Sequence, residues 1–164
     1  MHDGDTFEHK GQTFRVQFEH DGTHGAPWEE EEGHGPVRKS RIGYSGRPAK
    51  APNERVLWSD RHSALLYDFA EAVRIAKRDG WGAPPFKTGT KGERAVRAVE
   101  ADFKRLKYWC NDEWSYVGVI VHLLDDDGAS IESASLWGVE SDAGEYIAEV
   151  AKELADEILL NVCV

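Results

Sequence analysis

The segment WSYVGVIVHLLDDDGASIESASLWGV (114–139) constrains the fold more than any other stretch of the chain. β-Branched residues dominate its first arm and Asp127-Gly128 is a strong turn dipeptide, so the segment predicts a β-hairpin. Apolar residues fill successive positions of that arm, not alternate ones. The arm therefore predicts a strand buried on both faces, which is the environment of a central strand.

A second hairpin is predicted near the start, in TFEH-KG-QTFRVQFEH. Phe14, Val16 and Phe18 alternate with Arg15, Gln17 and Glu19, the period of a strand with one wet face, and Lys10-Gly11 suits a tight turn. PVRKSRIGY and ERVLWS are weaker strand candidates, separated by the turn-forming SGRPAKAPN. From His62 the period changes. Leu66, Phe69, Ala70, Val73 and Ala76 recur at three- and four-residue spacings ahead of Gly80, which predicts a helix over Ser63 to Asp79. A connector rich in glycine and proline follows. In the next helical stretch Val96, Val99, Phe103, Leu106 and Cys110 form the apolar stripe, with Arg94, Arg97, Lys104, Arg105 and Lys107 around it. The last element is an amphipathic helix capped by Ser141 or Asp142, with Ile147, Val150, Ala151, Leu154, Ala155 and Ile158 facing inward.

Strands, then two helices, a hairpin and a final helix predict one α+β domain over residues 1–164, with an antiparallel sheet of about four to six strands covered mainly on one face by three helices. Residues 21–36 and 80–92 are expected as loop excursions. The chain has 164 residues, 40% of them hydrophobic, enough for a core of that kind. No apolar run reaches about 18 residues, and the first twenty residues lack the pattern of a secretory signal. A cytoplasmic setting with no membrane partner is the expectation. Cys110 and Cys163 are too few for a disulfide framework or a thiolate zinc site, so they are expected as reduced structural thiols.

The net charge of −10 conceals a division. Residues 1–37 carry −7, residues 38–110 carry +9, and residues 111–164 carry −12. If the basic middle lies beside the acidic ends, the charges cancel within the molecule. If it does not, an acidic surface is left, built from Glu29, Glu30, Glu31 and Glu32, from Asp125, Asp126 and Asp127, and from Glu145, Glu149, Glu153 and Asp156 on the last helix, with Trp28 at its edge. Such a surface repels nucleic acid and membrane phosphates and attracts a basic protein face. The opposite inference starts from Arg38, Lys39, Arg41, Arg47, Lys50 and Arg55, which with Tyr44 and Trp58 could form a strip for nucleic acid, although no recognised motif accompanies them.

Chemistry is harder to find. In DGTHGAPWEEEEGHGPV (21–37), His24 and His34, together with His20 just upstream and the glutamates, offer donors for a divalent metal such as zinc, but their spacing matches no specific site. The same glycines and prolines suit turns. Trp28, Trp81 and Trp137 each either anchor a loop on the core or await a partner. His122 sits in an apolar strand and is expected on a sheet face. DDDG lacks calcium-loop spacing, and no nucleophile elbow, phosphate-cradling loop or redox cysteine pair occurs. These residues favour a binding protein over an enzyme.

HGAPWEEEEGHGPV, LYDFAEAVRIAKRDGW and SLWGVESDAGEYIAEVAKELADEI together resemble small accessory proteins of unassigned role from proteobacterial tailed phages and prophages, a likeness that would cover most of the chain. The resemblance implies a host-cytoplasm setting and an accessory role outside the virion. Small acidic phage proteins of this sort often resemble anti-restriction and anti-CRISPR inhibitors, some of them DNA mimics, an analogy of class without a motif. The expectation that results is an accessory protein whose acidic surface engages and inhibits a host protein with a basic face, such as a defence or nucleic-acid-processing complex. A metal-dependent enzyme or regulator built on His20, His24 and His34, and a nucleic-acid binder using residues 38–55, are the alternatives. Monomer and homodimer both remain open.

Overall fold

A computed structural model of the chain describes residues 1–82 and 88–162. In chain order its elements are β1 (Thr6–His9), β2 (Gln12–His20), α1 (Pro27–Glu30), β3 (Val37–Arg41), β4 (Glu54–Ser59), β5 (Ser63–Asp68), α2 (Phe69–Asp79), α3 (Lys91–Cys110), β6 (Tyr116–Leu124), β7 (Ser130–Glu140) and α4 (Glu145–Val162). The class is α+β, as expected, but the strands are divided between two antiparallel sheets, β1-β2-β6-β7 and β3-β5-β4. The chain forms two compact units, one from residues 1–24 and 114–164 and one from residues 25–113.

In the first unit both expected hairpins form. Lys10 takes a positive φ of 49° and hands the chain from β1 to β2 at the expected turn. β6 is central: it pairs with β2 from Phe14↔Leu123 to His20↔Val117, and with β7 on its other edge. Phe14, Val16, Val119, Val121 and Leu123 lie on one face and pack against Ile147, Val150, Ala151, Leu154, Ala155 and Ile158, the full apolar stripe expected of the last helix. Complete burial of each of the larger side chains among these stabilises by about 1.5–3 kcal/mol, which holds α4 on the sheet. The helix starts at Glu145, later than a cap at Ser141 or Asp142 would place it. On the opposite face His122 bridges two strands, with Gln17 Oε1 3.0 Å from Nε2 and Ser130 Oγ 3.0 Å from Nδ1, so it is a sheet-face histidine.

The second unit corrects one expectation. Ser63–Asp68 does not begin a helix; it is the central strand of the three-stranded sheet, paired with β3 and β4. Ala64 and Leu66 are buried on one face of it and Tyr67 on the other. A strand buried on both faces shows no alternation, so its apolar residues merge with the helical period that follows. The helix starts where Asp68 accepts the Glu71 N–H at 3.0 Å. α3 starts behind Thr90, whose hydroxyl accepts the Glu93 N–H while the Glu93 carboxylate accepts the Thr90 N–H. Residues 91 and 92 of the expected 80–92 connector therefore belong to α3, and residues 83–87 of it lie outside the described residues. Tyr67, Leu57, Ala72, Ala76, Val99 and Leu106 make the core, with Trp81 packed against it. Cys110 is half-buried, its thiol pushed up to about 11 by burial, while Cys163 lies outside the described residues.

Trp137 of β7 lies across Gly118 of β6, so close that a Cβ at residue 118 would stand 2.5 Å from the indole. Only glycine leaves room for that crossing. Gly118→Ala is expected to destabilise the protein by about 1–3 kcal/mol, seen as a lower urea midpoint with an unchanged slope.

Candidate functional site

The residues 21–37 are organised by carboxylates. Asp21, buried at the end of β2, accepts the N–H groups of Thr23 (3.0 Å), His24 (3.2 Å) and Gly138 (3.0 Å) and the Thr23 hydroxyl (2.8 Å). These donors hold its carboxyl below the ordinary range, the Thr23 hydroxyl foremost, against the opposing effect of burial. The following turn is the short helix α1, started by Pro27. Glu29 accepts the Ala26 N–H at 3.4 Å and Glu30 the Gly25 N–H at 3.1 Å. Two of the four glutamates thus fold back onto their own turn. Trp28 packs edge-to-face on Trp109 at 5.4 Å and lies against the core of its unit.

Beyond α1 lies a carboxylate that joins three separate segments of the second unit. Asp102 of α3 is nearly buried and receives the His34 ring at 2.6 Å, the Gly35 N–H at 2.9 Å and the Tyr67 hydroxyl at 2.7 Å. The other His34 nitrogen faces Glu31 at 3.7 Å. Burial acts to lower the His34 pKa, but the Asp102 hydrogen bond and the charges of Asp102 and Glu31 prevail, and the net shift is upward. Tyr67 is pushed above the ordinary tyrosine value by burial and by the Asp102 charge, so its hydroxyl stays a donor. Gly35 is required here, because a Cβ on it would stand 2.4 Å from the Tyr67 ring. A histidine oriented by a carboxylate is half of a general-base device. In this arrangement its second nitrogen meets an acid where such a device presents a nucleophile, and the geometry is that of a clamp fastening residues 31–36 to β5 and α3.

The sequence-predicted metal donors are dispersed in role. His20 is exposed at the end of β2, His24 packs at a tilt against Tyr116 with ring centroids 4.0 Å apart, and His34 belongs to the Asp102 clamp. Among the described residues no group of three or more His, Cys, Asp or Glu side chains is arranged to hold a metal ion. The basic strip is likewise partly engaged. Arg38 forks onto buried Glu54 at 2.6 and 2.7 Å and reaches the Ala49 carbonyl, while Lys50 donates to the Glu54 carbonyl. Glu54 is held down at about 2 by Arg38 first and the Ala51 N–H second. Arg55 stacks on Phe69 and pairs with Glu100 at 2.9 Å. Lys39, Arg41, Arg47 and Tyr44 are exposed.

The acidic residues of the first unit are disposed differently. Residues 1–24 and 114–164 hold sixteen acids against three bases, a net of −13, whereas residues 25–113 hold fourteen acids against seventeen bases, a net of +3. On α4, Glu145, Glu149, Glu153 and Glu157 are exposed and follow one another at four-residue intervals, the spacing that brings like charges together on a helix and costs stability. Asp156 differs. It turns to the β1–β2 hairpin and pairs with His9 at 2.6 Å and Lys10 at 2.7 Å. In the β6–β7 turn Asp125 accepts the N–H groups of Asp127 and Ala129, while Asp126 and Asp127 are exposed. β7 itself is an edge strand with exposed Ile131, Leu136 and Trp137. Asp102 and Asp21, the acids that do most to order the loops, carry no motif; the glycine beside His34 is the only sequence hint of a close approach there.

No family model, curated protein or solved structure matches the chain. Among the described residues no helix is long and apolar enough to cross a membrane.

Asp102→Ala removes the acceptor of three donors at once and is expected to cost about 3 kcal/mol in urea unfolding, whereas Tyr67→Phe is expected to cost about 1 kcal/mol. His34 holds its proton more tightly when folded. Its stabilising contribution is therefore complete below about pH 6.5, the ordinary histidine value, and is lost as pH rises through the higher folded value. Urea midpoints should decline across that window in the natural protein and decline less in His34→Gln; an identical decline in both would exclude His34 as the source.

Proposed function

We propose that this chain is a binding protein whose acidic unit, residues 1–24 and 114–164, engages a basic face of a host protein. The observation that carries the reading is the charge of that unit, −13, set against +3 for the rest of the chain. The cancellation that would have made the acidic segments unremarkable does not occur inside the unit. One helix presents Glu145, Glu149, Glu153 and Glu157 outward with Lys152 as its single base. Placing like charges at i, i+4 costs stability in an isolated helix, so the ladder serves something other than holding α4 in place.

A field of this sign repels phosphates and steers a cationic partner toward the surface. Protein faces that ordinarily hold DNA or RNA have that character, which fits the phage accessory class the sequence resembles and a defence or nucleic-acid-processing complex in the host cytoplasm as the target. Within the acidic set, the contributions differ from what sequence alone ranked. Glu149, Glu153, Asp126 and Asp127 face solvent, while Asp156, Asp125, Glu29 and Glu30 are already engaged in the protein. Trp28 is packed on Trp109, so the reading does not need it.

The combined change Glu149→Lys, Glu153→Lys and Glu157→Lys leaves the buried stripe of α4 untouched. Used as bait in host lysate at low salt beside the natural protein, the variant should lose its basic preys and show association with them slowed by about tenfold or more. Identical prey sets and rates for the two baits would defeat the reading.

A further inference from the structure

The sheet β1-β2-β6-β7 ends on one side in the four-residue β1 and on the other in the eleven-residue β7. An edge of that length is usually guarded by lysine, proline, β-bulges or a covering segment, because its free N–H and C=O groups template another strand. Residues 130–140 contain neither lysine nor proline. Register irregularities bracket a regular ladder from Glu132↔Leu123 to Leu136↔Val119. Within it the Ser133 N–H points away from β6 and is received by the carboxylate of its own neighbour, Glu132, at 3.0 Å. That N–H is therefore satisfied from within, by a side chain that can move. Beside it Ile131 is 58% exposed, Leu136 39% and Trp137 47%, and Trp137 is held along the strand by its indole N–H on Ser135 Oγ at 3.2 Å.

We infer that the outer edge of β7 is the docking line, and that it takes an extended, lysine- or arginine-bearing segment of the partner as a fifth strand. The inference rests on the acidic-surface reading and gives it a place and a geometry. Charge complementarity decides the occupant. Glu132 stands on the edge, Asp126 and Asp127 stand exposed at its hairpin turn, and the unit carries −13, so a second copy of the chain would bring like fields together while a cationic segment is drawn in. On arrival, a carbonyl of the incoming strand takes the Ser133 N–H and releases Glu132, whose carboxylate then meets a partner ammonium or guanidinium. Farther along the strand and on the sheet's other face, the exposed Trp137 ring offers a surface on which a different side chain of the incoming segment, apolar or cationic, can lie.

The test uses the full chain and two synthetic decapeptides of equal charge, one alternating lysine with valine and one alternating lysine with proline, the latter lacking half the donors and the strand conformation. The lysine-valine peptide should bind with the higher affinity and slow amide hydrogen exchange at Ser133 and Ser135. Ser133→Pro, which removes an N–H that β6 does not use, should weaken that binding by about tenfold or more, and Ser133→Ala, which keeps the N–H, should not. The exchange measurement on the natural protein requires no variant and stands even if Ser133→Pro fails to fold. Equal binding of both peptides without protection at Ser133 and Ser135 would overturn the edge assignment while leaving the acidic surface in force. Binding of neither peptide would overturn both. Protection that appears without peptide and grows with protein concentration would identify a second copy as the occupant and overturn the inference.

Discussion

The pairing of β2 with β6 is the contact on which the first unit depends. It joins residues 14–20 to residues 117–123, so the two ends of the chain build one sheet while residues 25–113 form a unit of their own. Bringing together segments so far apart carries a loop-closure cost, and what offsets it is burial on both sides of β6. Phe14, Val16, Val119 and Val121 face α4, and on the reverse face the Trp137 indole lies over Gly118. Neither hairpin has such a core alone. β1–β2 lacks a covering helix, and β6–β7 lacks the neighbour that makes β6 a central strand.

Two sets of carboxylates do different work in the protein. Asp21 and Glu54 are buried and Asp102 nearly so, and each gathers donors from a loop: the 21–24 turn and Gly138, the Ala51 N–H with Arg38, and the His34 ring and Gly35 N–H with Tyr67. A carboxylate offers several lone pairs to backbone N–H groups that would otherwise be buried unpaired, so one side chain can order a loop that has no periodicity of its own. The second set, Glu145, Glu149, Glu153 and Glu157 on α4 with Asp126 and Asp127 in the β6–β7 turn, faces solvent. Its members repel one another and contribute an external field in place of internal bonds.

That division bears on the proposed binding role. The field is indifferent to the shape of what it attracts, and specificity needs hydrogen bonds or pockets. In this fold the acidic helix and the free ladder of β7 belong to the same unit, α4 packing directly on the sheet that β7 closes. Long-range attraction and directional backbone groups are therefore supplied together.

Much of this was written locally in the chain. The β6–β7 hairpin, the alternation of β2 and the inward stripe of α4 follow from side-chain period, because each needs only its own residues to declare which face is apolar. The charge asymmetry was equally legible, being a property of composition by segment. The strand character of Ser63–Asp68 was not, since burial on both its faces, Ala64 and Leu66 on one and Tyr67 on the other, erases the alternation that marks a strand. Nor could residue order show which acids are bound and which are free: Asp156 and Glu153 read alike in the sequence, yet one meets Lys10 and the other meets water. Local pattern settled the hairpins, the helical stripes and their apolar faces; the strand Ser63–Asp68, the partners of each polar group and the edge left open at β7 were settled only when distant segments came together.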